Sequence, residues 1–213
     1  MKAVRPVRCA VFAVLLAAAG CSDPEGVRVL DEPKPARPGV PPVPADQKKF
    51  RTLAAMVPAD SAKDDERRWW FLKMSGPAEV VGKYEADFDK LIGSLRVSPD
   101  PAAPIAWDLP AGWKREGDGK GMRFATLKAP GGDAEVSVTR FGGLVVSNVQ
   151  RWWGQLWGKE REGDVTAANL LDFARERMVN GRLIFTVDMA GPKDPNAKGP
   201  NAGGPMMNPH GGS

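Results

Sequence analysis

The chain has few of the side chains on which most catalytic and metal sites depend. Its 213 residues include two cysteines and a single histidine, His210, which lies in a Gly- and Pro-rich tail. Nucleophilic catalysis by a Ser-His-Asp or Cys-His site needs a rigidly held base, and zinc sites use about three or four protein ligands. We therefore expect neither an enzyme nor a cofactor. A site built only from carboxylates is the enzymatic alternative that the sequence leaves open.

The apolar segment near the start of the chain is too short to span a membrane. Cys9–Ala19 has 11 apolar residues, whereas a bilayer span takes roughly 20. Lys2, Arg5 and Arg8 precede it, which is the pattern of an exported protein's signal peptide. The run ends in AAGC, which resembles the bacterial lipobox. The resemblance implies cleavage after residue 20 and attachment of lipid, such as palmitate, at Cys21. An ordinary signal peptide with an incidental cysteine is the alternative.

Charge and cysteine usage narrow the class of partner. Loss of residues 1–20 removes three of the 30 basic residues, which leaves 27 against 26 acidic residues. This near-neutral balance, together with export, argues against a nucleic-acid partner. With Cys9 removed and Cys21 carrying lipid, no disulfide forms. The predicted partners are the lipid bilayer, through Cys21, and an unknown envelope protein.

Glycine and proline divide the chain into segments. They crowd into residues 32–44, 98–104 and the stretch after residue 191. We predict a signal peptide over 1–20, a Pro-rich tether over 21–48, one α+β domain over 49–191 and a disordered tail over 192–213. The tail also holds Met206, Met207 and His210, weak candidates for a copper site; we expect no metal site there.

Hydrophobic periodicity predicts six strands and three helices. The strands are Phe50–Val57, Trp69–Met74, Ile105–Leu109, Met122–Lys128, Ala134–Phe141 and Arg182–Ala190. The helices are Ala78–Leu95, Asn148–Trp157 capped by Ser147, and Ala167–Val179 capped by Thr166. Tight turns are predicted at Gly117–Gly121 and at Asn180-Gly181.

The apolar faces of these elements predict the core. Apolar and polar residues alternate over Ala134–Phe141, which indicates an antiparallel sheet with one buried face and one face more exposed to solvent. Each predicted helix has one apolar stripe that should face the core. In the first helix the stripe is Val80, Tyr84, Phe88, Leu91, Ile92 and Leu95. In the second it is Val149, Trp152, Trp153 and Leu156, and in the third it is Leu170, Leu171, Ala174 and Met178.

Several of these segments resemble a known family. The stretches WDLPAGW, GMRFAT, AEVSVT and NVQRWWGQL, with WFLKMSGP upstream, are similar to a group of exported bacterial proteins whose fold is PsbP-like, that of the photosystem II extrinsic protein P. The resemblance covers about residues 52–191 and implies an α+β fold, an antiparallel sheet flanked by helices, with no catalytic residues. The strand–helix unit that usually closes such a domain comes first here, which indicates a circularly permuted domain.

A permuted single domain makes a specific prediction. Arg51–Val57 should pair with Leu183–Met189 inside one molecule. The alternative is two partial domains, each completed by a partner; it is less favoured because either half alone would expose sheet edges and an apolar face.

The chain has seven tryptophans, and most are predicted to pack in the core. Trp157 and the outward member of each tryptophan pair, Trp70 and Trp153, are the candidates for contact with a partner.

These features together predict a membrane-anchored envelope lipoprotein that acts as a non-catalytic interaction or assembly module. It would face the periplasm or the cell surface; Ser22 after the cysteine slightly favours the outer membrane. The alternative is a binding protein for a small apolar ligand held between sheet and helices. An interaction module needs an exposed apolar patch, whereas a ligand site needs an apolar cavity of roughly 300 Å³ or more.

Overall fold

The computed structural model describes residues 43–59, 69–100, 102–118 and 123–197, without the side chains of 117 and 118, and all of them belong to one compact unit. Residues 1–42, with Cys21 and most of the predicted tether, part of the predicted Gly117–Gly121 turn, and the residues beyond 197 lie outside this description. The described residues form a large antiparallel sheet and several helices. The predicted α+β class is therefore confirmed.

Seven strands form the main sheet, in the order β5-β6-β7-β2-β1-β9-β8. They are β1 Phe50–Pro58, β2 Trp69–Pro77, β5 Lys114–Asp118, β6 Arg123–Lys128, β7 Glu135–Phe141, β8 Ala174–Val179 and β9 Arg182–Gly191. A separate small hairpin joins β3 Arg96–Val97 to β4 Ile105–Ala106. The helices are α1 Ala78–Lys83, α2 Glu85–Gly93, α3 Val145–Trp157 and α4 Leu170–Phe173, with 3-10 turns at Ala45–Gln47 and Lys159–Asp164.

Strand β1 joins the two parts of the chain. It pairs antiparallel with β2 on one side and with β9 on the other, in a register that runs from Phe50 opposite Gly191 to Met56 opposite Phe185. The predicted pairing of the first strand with the last is confirmed. Strands from both halves of the sequence thus share one sheet.

The sheet is covered by helices on both faces because its central strands are apolar on both sides. Alternate residues of a strand point to opposite faces, and in β1 these are Leu53, Ala55 and Val57 on one face and Ala54 and Met56 on the other. Helices α1 and α2 pack on the first face, here called the α2 face. Helix α3 packs on the second, the α3 face. Two cores result, one on each side of the sheet.

The predicted helix over 78–95 is two helices. Tyr84 separates α1 from α2 with φ −108° and ψ 10°. Its ring packs edge-on against Trp113 at 5.6 Å, and its hydroxyl donates a hydrogen bond to Asp133 at 2.7 Å. Gly82 lowers helix propensity just before this break. Because of this break, Val81 is buried where Val80 was predicted to be. The residues of the predicted stripe that follow Tyr84 are buried as predicted.

The predicted strand Ile105–Leu109 is wrong beyond its first two residues. Only Ile105–Ala106 pairs, with Arg96–Val97. The chain then turns away, because the Asp108 backbone N–H is bonded to the Ser94 hydroxyl and Pro110 has no N–H to donate. The partner of β6 is instead β5, whose polar sequence carried no strand signal.

The predicted helix over 167–179 is also wrong. After the single turn of α4 the chain forms β8, which pairs with β9. Asn180 and Gly181 have φ of 48° and 77°, as in a tight hairpin turn, and pairing across that turn overrides helix propensity. Ala174 is buried as predicted, but Leu171 and Met178 are exposed.

The two predicted helix caps are not used. Helix α3 begins at Val145, so Ser147 lies inside it, and Thr166 bonds with Asn169 without starting a helix. The predicted stripe of α3 is confirmed, since all four of its residues are buried.

Gly191 lets α3 close onto the end of β9. A Cβ atom at this position would lie 2.7 Å from the Leu156 carbonyl oxygen, which is backbone and cannot rotate away. Gly191→Ala should therefore lower the free energy of unfolding by about 1–3 kcal/mol. Gly163→Ala is the control, because nothing lies within 4 Å of its added Cβ. Urea denaturation measures both; equal stabilities would contradict this packing.

Candidate functional site

A polar groove lies beside α3 on the α3 face, where strands β2, β7 and β6 extend beyond the helix. Lys73, Ser137 and Thr126 occupy one row across these strands, as paired positions in the register. The next row continues with Lys128 opposite Glu135. Lys73, Ser137, Lys128 and Glu135 line an open cavity of about 470 Å³, here called the cationic groove. Its other lining residues are Ser75, Gly76, Pro77, Arg123, Gly132, Asp133, Ala134 and Asn196.

Lys73 is the central cation of this groove. It is half-buried, and its Nζ donates a hydrogen bond to the Gln155 Oε1 of α3 at 2.8 Å. Within the described part of the chain, no carboxylate forms an ion pair with it. An ammonium held without a counter-ion in a partly desolvated place is unusual, because buried charges are normally paired.

The surroundings of Lys73 disfavour its charge. Burial, and then the nearby guanidinium of Arg151 on α3, lower the pKa of Lys73 to about 8. Both effects act in the same direction because each penalises the protonated amine. Lys73 therefore titrates close to physiological pH.

This shift predicts a pH-dependent stability difference between the wild-type protein and Lys73→Met. The folded pKa lies below the unfolded value, so the cost of the charge is fully present below pH 8 and disappears as pH rises toward about 10.5. The variant should be more stable by about 3 kcal/mol at pH 7. That gain should shrink to near zero by pH 10.5. Denaturation curves of both proteins across this range would test it, and a gain that did not change with pH would contradict it.

The other charges of the groove are paired but unequal in number. Glu135 accepts ion pairs from Arg123 at 2.9 Å and from Lys128 at 3.1 Å. Burial acts to raise the pKa of Glu135, but the two cations outweigh it and lower the pKa below its usual range. Glu135 thus faces two cations. With Lys73 and with Asp133 at the rim, the groove has three cations against two carboxylates, an excess of one positive charge.

A smaller cavity lies at the other end of the sheet, on the α2 face. It has a volume of about 230 Å³ and is lined by Val57, Leu95, Val97, Val179 and Ile184 together with Arg96, Asn180 and Arg182. This volume is below the roughly 300 Å³ typical of small-molecule sites. Its polar and charged lining also fits an apolar ligand poorly.

The hairpin β8–β9 exposes apolar side chains at the edge of the sheet. Met178 and Leu183 stand directly opposite each other in the register, and they are 63% and 44% exposed. Both side chains lie on the α3 face, because the residues that follow them in their strands belong to the core on the α2 face. We call Met178 and Leu183 the hairpin patch.

The tryptophans predicted to contact a partner are mostly internal. Trp70 and Trp153 are only 2% and 5% exposed, so their predicted exposure is wrong: both sheet faces are covered by helices, which leaves neither pair an outward member. Trp157 is half-buried, and its Nε1 donates to the Ala190 carbonyl at 3.0 Å; its role in partner contact stays a prediction. The predicted lipidation site Cys21 and the weak copper candidates Met206, Met207 and His210 lie outside the described residues.

Neither the cationic groove nor the hairpin patch was predicted from the sequence. Lys73 was the available signal for the groove, since it is the only charged residue in the apolar strand WWFLKM. The Asn180-Gly181 turn was the signal for the patch. A tight turn of this type joins two strands, and it should have marked the residues before it as a strand.

The described residues offer neither a cluster of metal-binding side chains nor a membrane-spanning helix. No three His, Cys, Asp or Glu side chains there are grouped so as to hold a metal ion. No helix in the same part of the chain is long and apolar enough to cross a membrane. In comparisons with known proteins, no family model, curated protein or solved structure matches this chain.

Proposed function

We propose that the protein is an envelope lipoprotein that acts as a non-catalytic interaction or assembly module, anchored through Cys21 and docking through the hairpin patch. The proposal rests on one observation: Met178 and Leu183 are directly opposite each other on neighbouring strands, and both of these large apolar side chains are exposed. Isolated exposed apolar residues are common on protein surfaces, but clustered ones mark interaction sites.

The position of the patch favours a protein partner. Strand β8 is the last strand of the seven-stranded sheet, so its outer edge has backbone groups available to a partner. Its sequence, ARERMV, places charged residues beside the apolar pair. Charges on an edge strand oppose unspecific pairing. A partner with a complementary apolar surface and a matching charge pattern would bind here selectively.

The alternative function, binding of a small apolar ligand between sheet and helices, has less support. The cavity at the end of the sheet is small and partly charged. The larger groove is lined by polar and charged side chains. Neither has the apolar lining that such a ligand would need.

Co-isolation from detergent-solubilised envelope tests the proposal. Wild-type protein should retain a stoichiometric partner, and Leu183→Glu should lose it, because a charge in the patch would have to be buried on binding. Ala86→Glu is the control, since it adds the same charge at an exposed position of α2 on the opposite face. A partner retained equally by all three proteins, or by none, would contradict the proposal.

A further inference from the structure

The cationic groove has an unsatisfied charge that the proposed function does not use. Lys73 makes one hydrogen bond, to an uncharged amide, and has no ion pair within the described residues. Arg151 is close enough to act on it electrostatically, and its Nη2 is bonded to the Asn148 side chain and not to a carboxylate. Two cations therefore stand near each other, and none of the described carboxylates forms an ion pair with Lys73.

The carboxylates of the groove are already engaged elsewhere. Glu135 is held by Arg123 and Lys128. Asp133, at the rim, accepts the Tyr84 hydroxyl at 2.7 Å and lies 3.5 Å from the Lys83 amine. Neither acid forms an ion pair with Lys73. The positive charge at the centre of the groove can therefore be balanced only from outside the described fold.

We propose that the groove is a binding site for a small polar ligand carrying a phosphate or carboxylate group, which Lys73 holds. The ammonium has donors left after its bond to Gln155, because a lysine amine carries three. Arg123 and Lys128 flank it from β6 and add to the positive field. A charge-assisted hydrogen bond to an oxyanion would supply the missing partner.

The size and lining of the groove define the rest of the ligand. About 470 Å³ of open space exceeds the volume of a bare phosphate ion. The lining residues include no large apolar side chain. The body of the ligand should therefore be polar, and its oxyanion should point toward the junction of β2 and α3.

Titration of the full-length protein with inorganic phosphate and with succinate, at constant ionic strength maintained with sodium chloride, tests the site by ¹⁵N NMR. We expect saturable shifts for backbone amides around Lys73 and Ser137. Lys73→Met should weaken the binding at least tenfold. Lys90→Met is the matched control, because it removes the same charge from an exposed position on α2, and it should bind as the wild type does. The anion that saturates at the lower concentration identifies the preferred group.

A second measurement needs no variant. Reductive ¹³C-methylation of the lysines lets the titration of Lys73 be followed by NMR with and without each anion. A bound oxyanion should raise the Lys73 pKa by at least half a unit. Shifts that do not saturate, shifts that chloride alone reproduces, or equal binding by wild-type and Lys73→Met proteins would overturn the proposal. These outcomes are independent of partner retention by the hairpin patch.

Discussion

Replacing Trp70 by alanine should lower the free energy of unfolding by about 3–5 kcal/mol, the range for deletion of a large buried aromatic side chain. Trp70 is 2% exposed in the core on the α2 face. Its ring packs edge-on against Phe124 at 4.9 Å and lies 5.4 Å from the Arg140 guanidinium. The substitution would leave a cavity between β2 and β6 and remove the ring that faces Arg140.

Urea denaturation followed by circular dichroism measures this loss. Met178→Ala is the control, because Met178 is 63% exposed and its truncation should change stability by no more than about 0.5 kcal/mol. If Trp70→Ala were as stable as the wild-type protein, Trp70 would have to be a surface residue, as the sequence alone suggested.

Replacing Arg51 by methionine should be the next most damaging change, with a loss of about 2–3 kcal/mol. Arg51 donates two hydrogen bonds to the Asp188 carboxylate, at 2.8 and 2.9 Å, and pairs with Glu85 at 2.8 Å. It thereby joins β1, β9 and the start of α2. Burial acts to lower the pKa of Arg51, but the two carboxylates more than offset this and raise it above its usual value.

The expected size of the effect follows from partial burial. The Arg51, Asp188 and Glu85 side chains are 17%, 24% and 32% exposed, so the loss should fall below the 3–5 kcal/mol typical of a fully buried pair. Without Arg51, two acidic side chains would be left close together. Arg96→Met removes a similar bidentate pair, with Asp108, whose side chains are 51% and 71% exposed. It should lose much less stability than Arg51→Met, because exposed ion pairs contribute little; equal losses in the two variants would contradict the role given to burial.

Much of the fold could be predicted from local patterns. The alternation in Glu135–Phe141, the apolar run at Trp69–Met74 and the stripe of α3 each specify both an element and its buried face. The pairing of the first strand with the last is a long-range feature. It was predicted from the order of elements in a resembling family and is confirmed by the register.

The errors arose where long-range contacts outweighed local preference. The segment Ala174–Val179 contains good helix formers, but pairing with β9 makes it a strand. The polar segment Lys114–Asp118 has no apolar alternation, yet it pairs with β6. Local periodicity carries no information about such partners.

The candidate sites depend even more on long-range geometry. The cationic groove needs Lys73 of β2, Glu135 of β7 and Arg123 of β6 to lie on one face, which only the strand register establishes. The lack of an acidic partner for Lys73 likewise depends on the whole surrounding fold. A lone lysine in an apolar strand was visible in the sequence, but its setting was not.

The two candidate sites lie on the same face of the sheet, on either side of α3. The groove occupies β2, β7 and β6, whereas the hairpin patch occupies β8 and β9 at the far edge. Helix α3 packs between them on β1 and β9. A partner bound at the patch and a ligand bound in the groove would therefore contact separate surfaces of one rigid scaffold.

In-cell photo-crosslinking from position 178 tests the proposed function most directly. A photoreactive amino acid in place of Met178 should yield one discrete adduct with an envelope protein. The adduct should disappear when Leu183→Glu is added, and the same probe at position 90 should give none. No adduct at 178, equal adducts at 178 and 90, or an adduct insensitive to Leu183→Glu would contradict docking through the hairpin patch.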